Sequence, residues 1–368
     1  MVLVKAKRDE ILDPLSAVSG IIERRHTLPI LSNVLIARAG DALSFLATDI
    51  EIQITALARI TLQDEAPALT VGARKLLDIL RALPEGIEVT LQQQDKRLQV
   101  RAGKSRFSLQ TLPAEDFPRL GKPAGEVARL VLAQKALRKL LGLVQYAMAQ
   151  QDIRYYLNGL LMVVEDRQLK LVATDGHRLA YAAMGLDMDL PRQEVIVPRK
   201  TVLELAKLLS DEEEEVHIEL SSTQAAFSFG NVELVSKLID GRFPDYKRVI
   251  PTQHKNRLSV DRDALRQALQ RAAILSNEKF RGVRWVVTDA SLKIISSNAE
   301  QEEAQEEVEV KYDGDALDVG FNVNYLLDVL NNVSAPEVDC RFGDSASSAL
   351  MTFATEPEFS YVVMPMRI

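Results

Sequence analysis

The chain has little that is reactive. One cysteine, Cys340, is the entire thiol content of its 368 residues, so no disulfide can form within it and a reducing compartment is expected. No stretch approaches the ~20 consecutive apolar residues of a membrane span, and no long apolar run follows the first charges. The expectation is a cytoplasmic protein with no membrane partner. The histidines His26, His177, His217 and His254 fall at no metal-ligand spacing, with each other or with the cysteine. A glycine-rich phosphate loop, a dinucleotide fingerprint and a nucleophile elbow are all missing. These absences argue against the commoner metal, nucleotide and serine-hydrolase chemistries. The formal charge of −7, taken alone, argues weakly against a nucleic-acid partner.

What the chain does have is repetition. In 169–180, LKLVATDGHRLA, alternating residues lead into a Thr-Asp-Gly turn and a return run, the pattern of a strand ending in a tight bend. The same grammar recurs at 43–52, LSFLATDIEI, and more loosely at 292–301, LKIISSNAEQ. Asp49, Asp175 and Asn298 hold the same place, 126 and 123 residues apart. A strand–helix–turn pattern at 71–86 returns at 197–212 and 320–335, and Phe117-Pro118 returns as Phe243-Pro244, again 126 residues on. A period that long is a whole domain rather than a solenoid unit. The chain therefore reads as three tandem copies, each long enough to bury its own core.

Each copy reads as two helices among about eight short strands, an α+β fold with helices against antiparallel sheets. Helices are expected at 10–19 (capped by Asp9, with Pro14 a candidate kink), 73–83, 134–148, 200–209, 262–275 and 321–333. Pro- and Gly-rich 118–126 and the segment 245–256 read as linkers. Three such domains end to end should make a curved chain, helices on one side and sheets on the other.

Charge is unevenly placed. Segments 129–154 and 262–284 are each +4, and the helices at 73–83 and 197–209 are +2 each. Acid gathers at 211–215, which is −5, and at 294–315, which is −7. Basic helices with acid on strands and loops suit sequence-independent attraction of a polyanion. The adjacent Arg24 and Arg25 beside His26 are either a surface bend or a DNA-facing loop. The carboxylates around Glu302, Glu303, Glu306 and Glu307 read as a solvated or interface face, because no oriented partner stands nearby.

Several longer strings together carry a family resemblance. They are TLPILSN at 27–33, SRFSLQTLPAEDFP at 105–118, QDIRYYLNG at 151–159, VATDGHRLA at 172–180, LIDGRFPDY at 238–246, AILSNEKFRGVR at 273–284 and YVVMPMR at 361–367. Over essentially its whole length the chain resembles the bacterial DNA polymerase III beta subunits, the sliding clamps. The resemblance implies three clamp domains, at 1–122, 128–248 and 255–368, and a head-to-tail homodimer closing a six-domain ring. Such a ring encircles duplex DNA without reading bases, carries no catalytic site or cofactor, and tethers the replicative polymerase by topology. Implied partners are the polymerase III alpha subunit, the clamp-loader delta subunit, and other polymerases and repair proteins carrying clamp-binding motifs. The implied location is the nucleoid.

The same resemblance implies DNA contacts at Arg25, Gln151, Tyr155 and Tyr156, with Gln150 standing where close relatives have histidine. It implies a subunit interface of Phe107 and Leu109 against Ile274 and Leu275, with Lys75, Lys104 and Arg106 facing Glu300, Glu302 and Glu303. Opposite charges at opposite ends suit head-to-tail closure. A partner-peptide groove is implied between domains two and three, taking a motif rich in Gln and large apolar residues. Its residues would be Leu157, Thr174, Gly176, His177, Arg178 and Leu179, then Pro244, Arg248, Val249 and Phe280. Asn322, Tyr325, Ser348 and Val362, followed by Met364, Pro365, Met366 and Arg367, would complete it. Ala346 is smaller than the aliphatic residue expected at its place. Read from the residues alone, the apolar end YVVMPMRI would be wasted in water, and methionines would give it an adaptable lining. Two other readings compete: a monomeric peptide-binding scaffold that does not encircle DNA, and an enzyme on duplicated domains using His177 or Glu302. Solution mass separates the first from a clamp, and an activity scan at those two residues addresses the second.

Overall fold

The computed structural model describes residues 1–23, 28–60 and 68–367. Arg25 therefore lies outside the described residues, as do Arg24 and His26. The three copies have the same order of elements: strand, helix, four strands, helix, three strands. The helices are α1 Arg8–Ser19, α2 Ala73–Ala82, α3 Gln134–Val144, α4 Arg199–Leu208, α5 Arg262–Ala272 and α6 Val323–Asn332. The third copy adds one short strand, Lys311–Asp313.

Two compact units carry these copies. One comprises residues 1–138 and 203–238, and the other residues 139–202 and 239–368. The division falls inside the second copy because the sheets run on from one copy to the next. In the first unit a twelve-stranded sheet joins Ile52–Ala58 of copy one to Val232–Lys237 of copy two, antiparallel, with Val235 opposite Gln53. In the second unit a nine-stranded sheet makes the equivalent joint, Arg178–Gly185 of copy two to Glu356–Val363 of copy three, with Leu179 opposite Val362. The rule is that the fourth strand of one copy pairs with the last strand of the next.

Two strands that the rule would pair stay open. Glu303–Glu309, the fourth strand of copy three, is the outer edge of a four-stranded sheet in the second unit. Ser105–Pro113, the last strand of copy one, pairs through 105–110 with Arg97–Ala102 alone, and only 111–113 meet Leu69–Gly72.

Local departures from the sequence expectations have physical causes. Helix α1 begins at Arg8, two residues ahead of the start an Asp9 cap would give, because Glu10 accepts the Lys7 backbone N–H at 2.8 Å. Asp9 instead pairs with Arg8 and takes the Gly86 N–H at 3.3 Å. Pro14 sits inside α1 and is buried with Ile11, Leu15 and Val18. Helices α3 and α5 end sooner than expected and tighten into short 3-10 turns, Gln145–Ala147 and Ala273–Leu275. The second of these is held by Ser276 Oγ donating to the Ala273 carbonyl at 2.8 Å.

Cores form where alternating strands meet the helices' apolar stripes. Phe45 and Phe227 are fully buried in the first unit, and Trp285, Phe321, Phe342, Phe359 and Tyr361 in the second. Cys340 is buried, and desolvation pushes its thiol well above the ordinary range. No described helix is long and apolar enough to cross a membrane.

Strand Gly159–Glu165 is buried along its whole length. A Cβ on Gly159 would come 2.7 Å from the Val197 carbonyl oxygen and 2.8 Å from Ile196 Cγ2. Backbone cannot yield as a flexible side chain does, so Gly159→Ala is expected to cost about 1–3 kcal/mol. Urea unfolding compared with the parent checks this, and an unchanged midpoint would show that the strands separate freely there.

Candidate functional site

The site is organised by the bend at 174–178. Thr174 Oγ donates to the Arg178 carbonyl and accepts the Gly176 N–H at 3.1 Å. The Asp175 carboxylate accepts the N–H groups of His177 at 2.9 Å and Arg178 at 3.1 Å. Gly176 has φ +90°, the left-handed region that glycine reaches without a steric penalty. The repeat seen in sequence is therefore a repeat of bond pattern. Asp49 accepts from Glu51 and Ile52, and Asn298 accepts from Glu300 and Glu302.

Beyond the bend, the tail is tied down. Val362 lies opposite Leu179 in the sheet, the Met364 N–H donates to the His177 carbonyl at 2.8 Å, and the Met366 N–H to Gly320 at 2.8 Å. The space left between bend, tail and the segment 243–249 is a groove of about 620 Å³ including its open mouth. Its deep part is apolar: Leu157, Leu179, Phe243, Tyr246 and Val362 are buried in one cluster, with Tyr156 and Val249 packed against it. The Tyr246 ring stacks on Tyr181 at 5.8 Å, and burial pushes its hydroxyl up to about 12, so it stays neutral. Met364, 41% exposed, stands at the mouth.

Of the groove residues expected from sequence, Leu157, Thr174, Gly176, Arg178, Leu179, Pro244, Val249, Val362 and Met364 line this space. His177 and Tyr325 line a neighbouring hollow of about 770 Å³ with Gln150 and Gln151. Arg248 is exposed and paired with Asp245 at 3.0 Å. Phe280, 56% exposed, Ser348, Pro365, Met366 and Arg367 stand outside the lining. Asn322 caps α6 through the Asn324 N–H at 2.9 Å instead. Ala346 is exposed, its N–H bound to Asp344 at 2.9 Å.

Arg178 lines the groove and is also tied into the structure around it. Its side chain is only 9% exposed, and its donors go to Asp175 at 3.0 Å, Asp328 at 2.5 Å and the Tyr146 carbonyl at 2.6 Å. Its guanidinium also lies over the Tyr325 ring, 4.4 Å from the centroid. It braces the bend and has little left for a ligand carboxylate. Sequence reasoning missed Arg154, Phe243 and Tyr246 as lining residues and assigned Tyr156 to DNA alone. The Phe243-Pro244 repeat was the available signal.

The segment 150–156 flanks the groove. Gln151 has φ +58°, Ile153 is 96% exposed, and Tyr155, 58% exposed, meets Tyr156 edge-on at 5.8 Å. At the open strand edges, Phe107 and Leu109 are half-buried, Lys75, Lys104 and Arg106 exposed, and Ile274 77% exposed beside the partly exposed Leu275. Glu300, Glu302 and Glu303 are exposed. The charge division is more local than sequence suggested, since Lys135 and Arg138 of α3 pair with Glu213 and Asp211 of the acidic run. Among the described residues no group of three or more His, Cys, Asp or Glu is placed to hold a metal.

Asp152 carries the site's clearest electrostatic perturbation. Hydrogen bonds from the Arg154 side chain and backbone N–H hold its carboxyl at about 2, below the usual 3.8. A depressed carboxylate contributes above its unfolded value and loses that contribution as pH falls through its folded one. The Asp152–Arg154 pair should therefore persist through mildly acid solution and break only near pH 2. Carboxyl NMR titration checks this; a midpoint at 3.8 would mean that the pair does not form in solution.

Three descriptions of one family match the chain end to end: the N-terminal domain of the DNA polymerase III beta subunit at 3–121, its central domain at 131–245 and its C-terminal domain at 247–367. The beta sliding clamp of Pseudomonas aeruginosa is 47% identical over 367 residues, covering 98% of this chain and 99% of that protein. That of Escherichia coli K12 is 46% identical over 362 residues, with the same coverage. A crystal structure of the Pseudomonas aeruginosa DnaN sliding clamp bound to griselimycin superposes with a TM-score of 0.94, at 45% identity and 100% coverage of both chains. Caulobacter crescentus pol III beta superposes with a TM-score of 0.93, at 40% identity and 100% coverage of both.

Proposed function

The chain belongs to the family of DNA polymerase III beta subunits, and from that membership we infer that it is a processivity factor, a sliding clamp that encircles duplex DNA and tethers the polymerase to it. It is a non-catalytic accessory protein of replication. The single observation that carries head-to-tail closure is the pair of open strands. Fourth strand meets last strand twice within the chain, and Glu303–Glu309 and Ser105–Pro113 are the two left over. A second copy of the chain supplies each with its missing partner and removes both edges. Charge favours the same match: Lys104 precedes one strand and Arg106 lies in it, Glu300 and Glu302 precede the other and Glu303 opens it, while Ile274, Leu275, Phe107 and Leu109 offer apolar surface. A monomeric scaffold would leave those edges and Ile274 in water.

We place three domains at 1–122, 128–248 and 255–368, and assign DNA contact to the 150–156 segment together with Arg25. The groove takes the clamp-binding segments of partners, among them the polymerase III alpha subunit, the clamp-loader delta subunit, and other polymerases and repair proteins. Support comes from its dimensions and chemistry: a deep apolar space with a methionine at its mouth suits one or two large apolar side chains, each worth roughly 1.5–3 kcal/mol when buried. The working location is the nucleoid.

Loaded clamps should stay on closed circular DNA through moderate salt and be lost from linear DNA by sliding off the ends, because topology is not screened whereas phosphate contacts are. Gel filtration of the loaded complexes reads this, and equal lifetimes on linear and circular DNA without end blocks would sink encirclement.

For the groove, deleting residues 364–368 should abolish binding of a Gln-x-x-Leu-Phe peptide with the dimer intact, since the strand Glu356–Val363 keeps its sheet partners. Met364→Ala should weaken the peptide about tenfold, or roughly 1.4 kcal/mol. Calorimetry decides: a folded, dimeric deletion that binds as tightly as the parent would make the tail ordinary structure.

A further inference from the structure

One side chain belongs both to the 150–156 segment and to the groove. Arg154 Nε and Nη2 bind the Asp152 carboxylate at 3.0 and 2.8 Å, and Nη2 also donates to the Asp175 carbonyl at 3.2 Å. The guanidinium lies flat against the bend: a Cβ on Gly176 would meet its Nη2 at 2.9 Å and its Nη1 at 3.0 Å. Gly176 is needed for its backbone angle, and with no side chain there the guanidinium sits close above it. On its other side the segment is cross-linked to itself. The Asp152 N–H donates to Asn158 Oδ1 at 2.8 Å, Asn158 Nδ2 donates to the Asp152 carbonyl at 2.9 Å, and the Arg154 N–H returns to Asp152 at 2.8 Å.

The segment so braced holds Arg154 and Tyr156, which line the groove, together with Gln151 and Tyr155, which do not. Among the described residues, the Arg154 bond to Asp175 is its one recorded hydrogen bond to the bend. At 45% side-chain exposure that bond competes with water. Anything that grips Gln151 and Tyr155 from outside therefore steadies this wall, and a peptide entering afterwards loses less freedom on ordering it.

We propose that Arg154 is the positioning residue that couples the two faces, so that duplex DNA held by the 150–156 segment tightens the groove for its peptide. The inference rests on the DNA-facing reading of that segment and on the peptide reading of the groove. Linkage makes the effect reciprocal: peptide must tighten DNA by the same factor.

The test is fluorescence anisotropy of a labelled Gln-x-x-Leu-Phe peptide on the dimer at low salt, with and without a saturating short duplex. The parent should bind the peptide about fivefold more tightly with duplex present. Arg154→Ala should bring that ratio to one, whatever its own peptide affinity. Arg154→Lys keeps the charge but lacks the fork that spans Asp152 and the Asp175 carbonyl, and should do the same. The ratio is a readout that a merely structural residue would leave alone. A parent that binds both ligands with a ratio of one overturns the coupling alone. A ratio that survives in both variants assigns it elsewhere and overturns the role of Arg154. Loss of peptide binding in both variants makes Arg154 a plain groove residue and overturns it too. A parent that binds peptide but no duplex brings down the DNA reading together with the inference, and one that binds duplex but no peptide brings down the groove reading with it.

Discussion

A strand edge without a neighbour leaves a row of amide and carbonyl groups to water or to another chain. Each copy of the repeat has this problem at its fourth strand, and the first two solve it by borrowing the last strand of the copy that follows. Ile52–Ala58 and Arg178–Gly185 are satisfied in this way. The continuous sheets follow from that borrowing, and so does the division of the second copy between two compact units. A chain built on this rule always ends with one unsatisfied strand of each kind, so closure needs a second chain and a fixed direction. The opposed charges beside the two open strands make the direction legible.

The groove is a by-product of one such joint. In copy one, Leu35, Leu46 and Phe117 pack together as a small cluster with Ile30, Ala68 and Ala114 against it. Their equivalents 126 residues on are Leu161, Val172 and Phe243. At the second joint the same three positions belong to a larger cluster, which also holds Leu179, Tyr246 and Val362.

Much of this was readable in advance because periodicity and turn chemistry are local. The Asp49, Asp175 and Asn298 bends and the six helices follow from spacing alone. Helix ends were less legible: Asp9 lost the cap to Glu10, and α5 tightened at Ala273 under Ser276. The site divided along the same line. Leu157, Leu179 and Val362 were expected in the groove and line it, as apolar residues beside a recognisable bend. Arg178 was expected in the groove and lines it, but its donors are already engaged, one of them by Asp328, 150 residues away. No spacing rule reveals a partner at that distance. Arg154 was hidden for the same reason: its importance lies in the space above Gly176, which sequence does not show.

The single cysteine has a practical consequence. Cys340 is 1% exposed, and burial keeps its thiol from ionising at neutral pH. Thiol reagents therefore find no native target on the folded chain. Any cysteine introduced at the surface becomes a unique chemical address, for a dye, a spin label or a crosslink, with no native residue to remove first. A pair placed across the two open strands would bond covalently only in an assembly that brings those strands together. The state of closure could then be fixed, counted and released with a reductant.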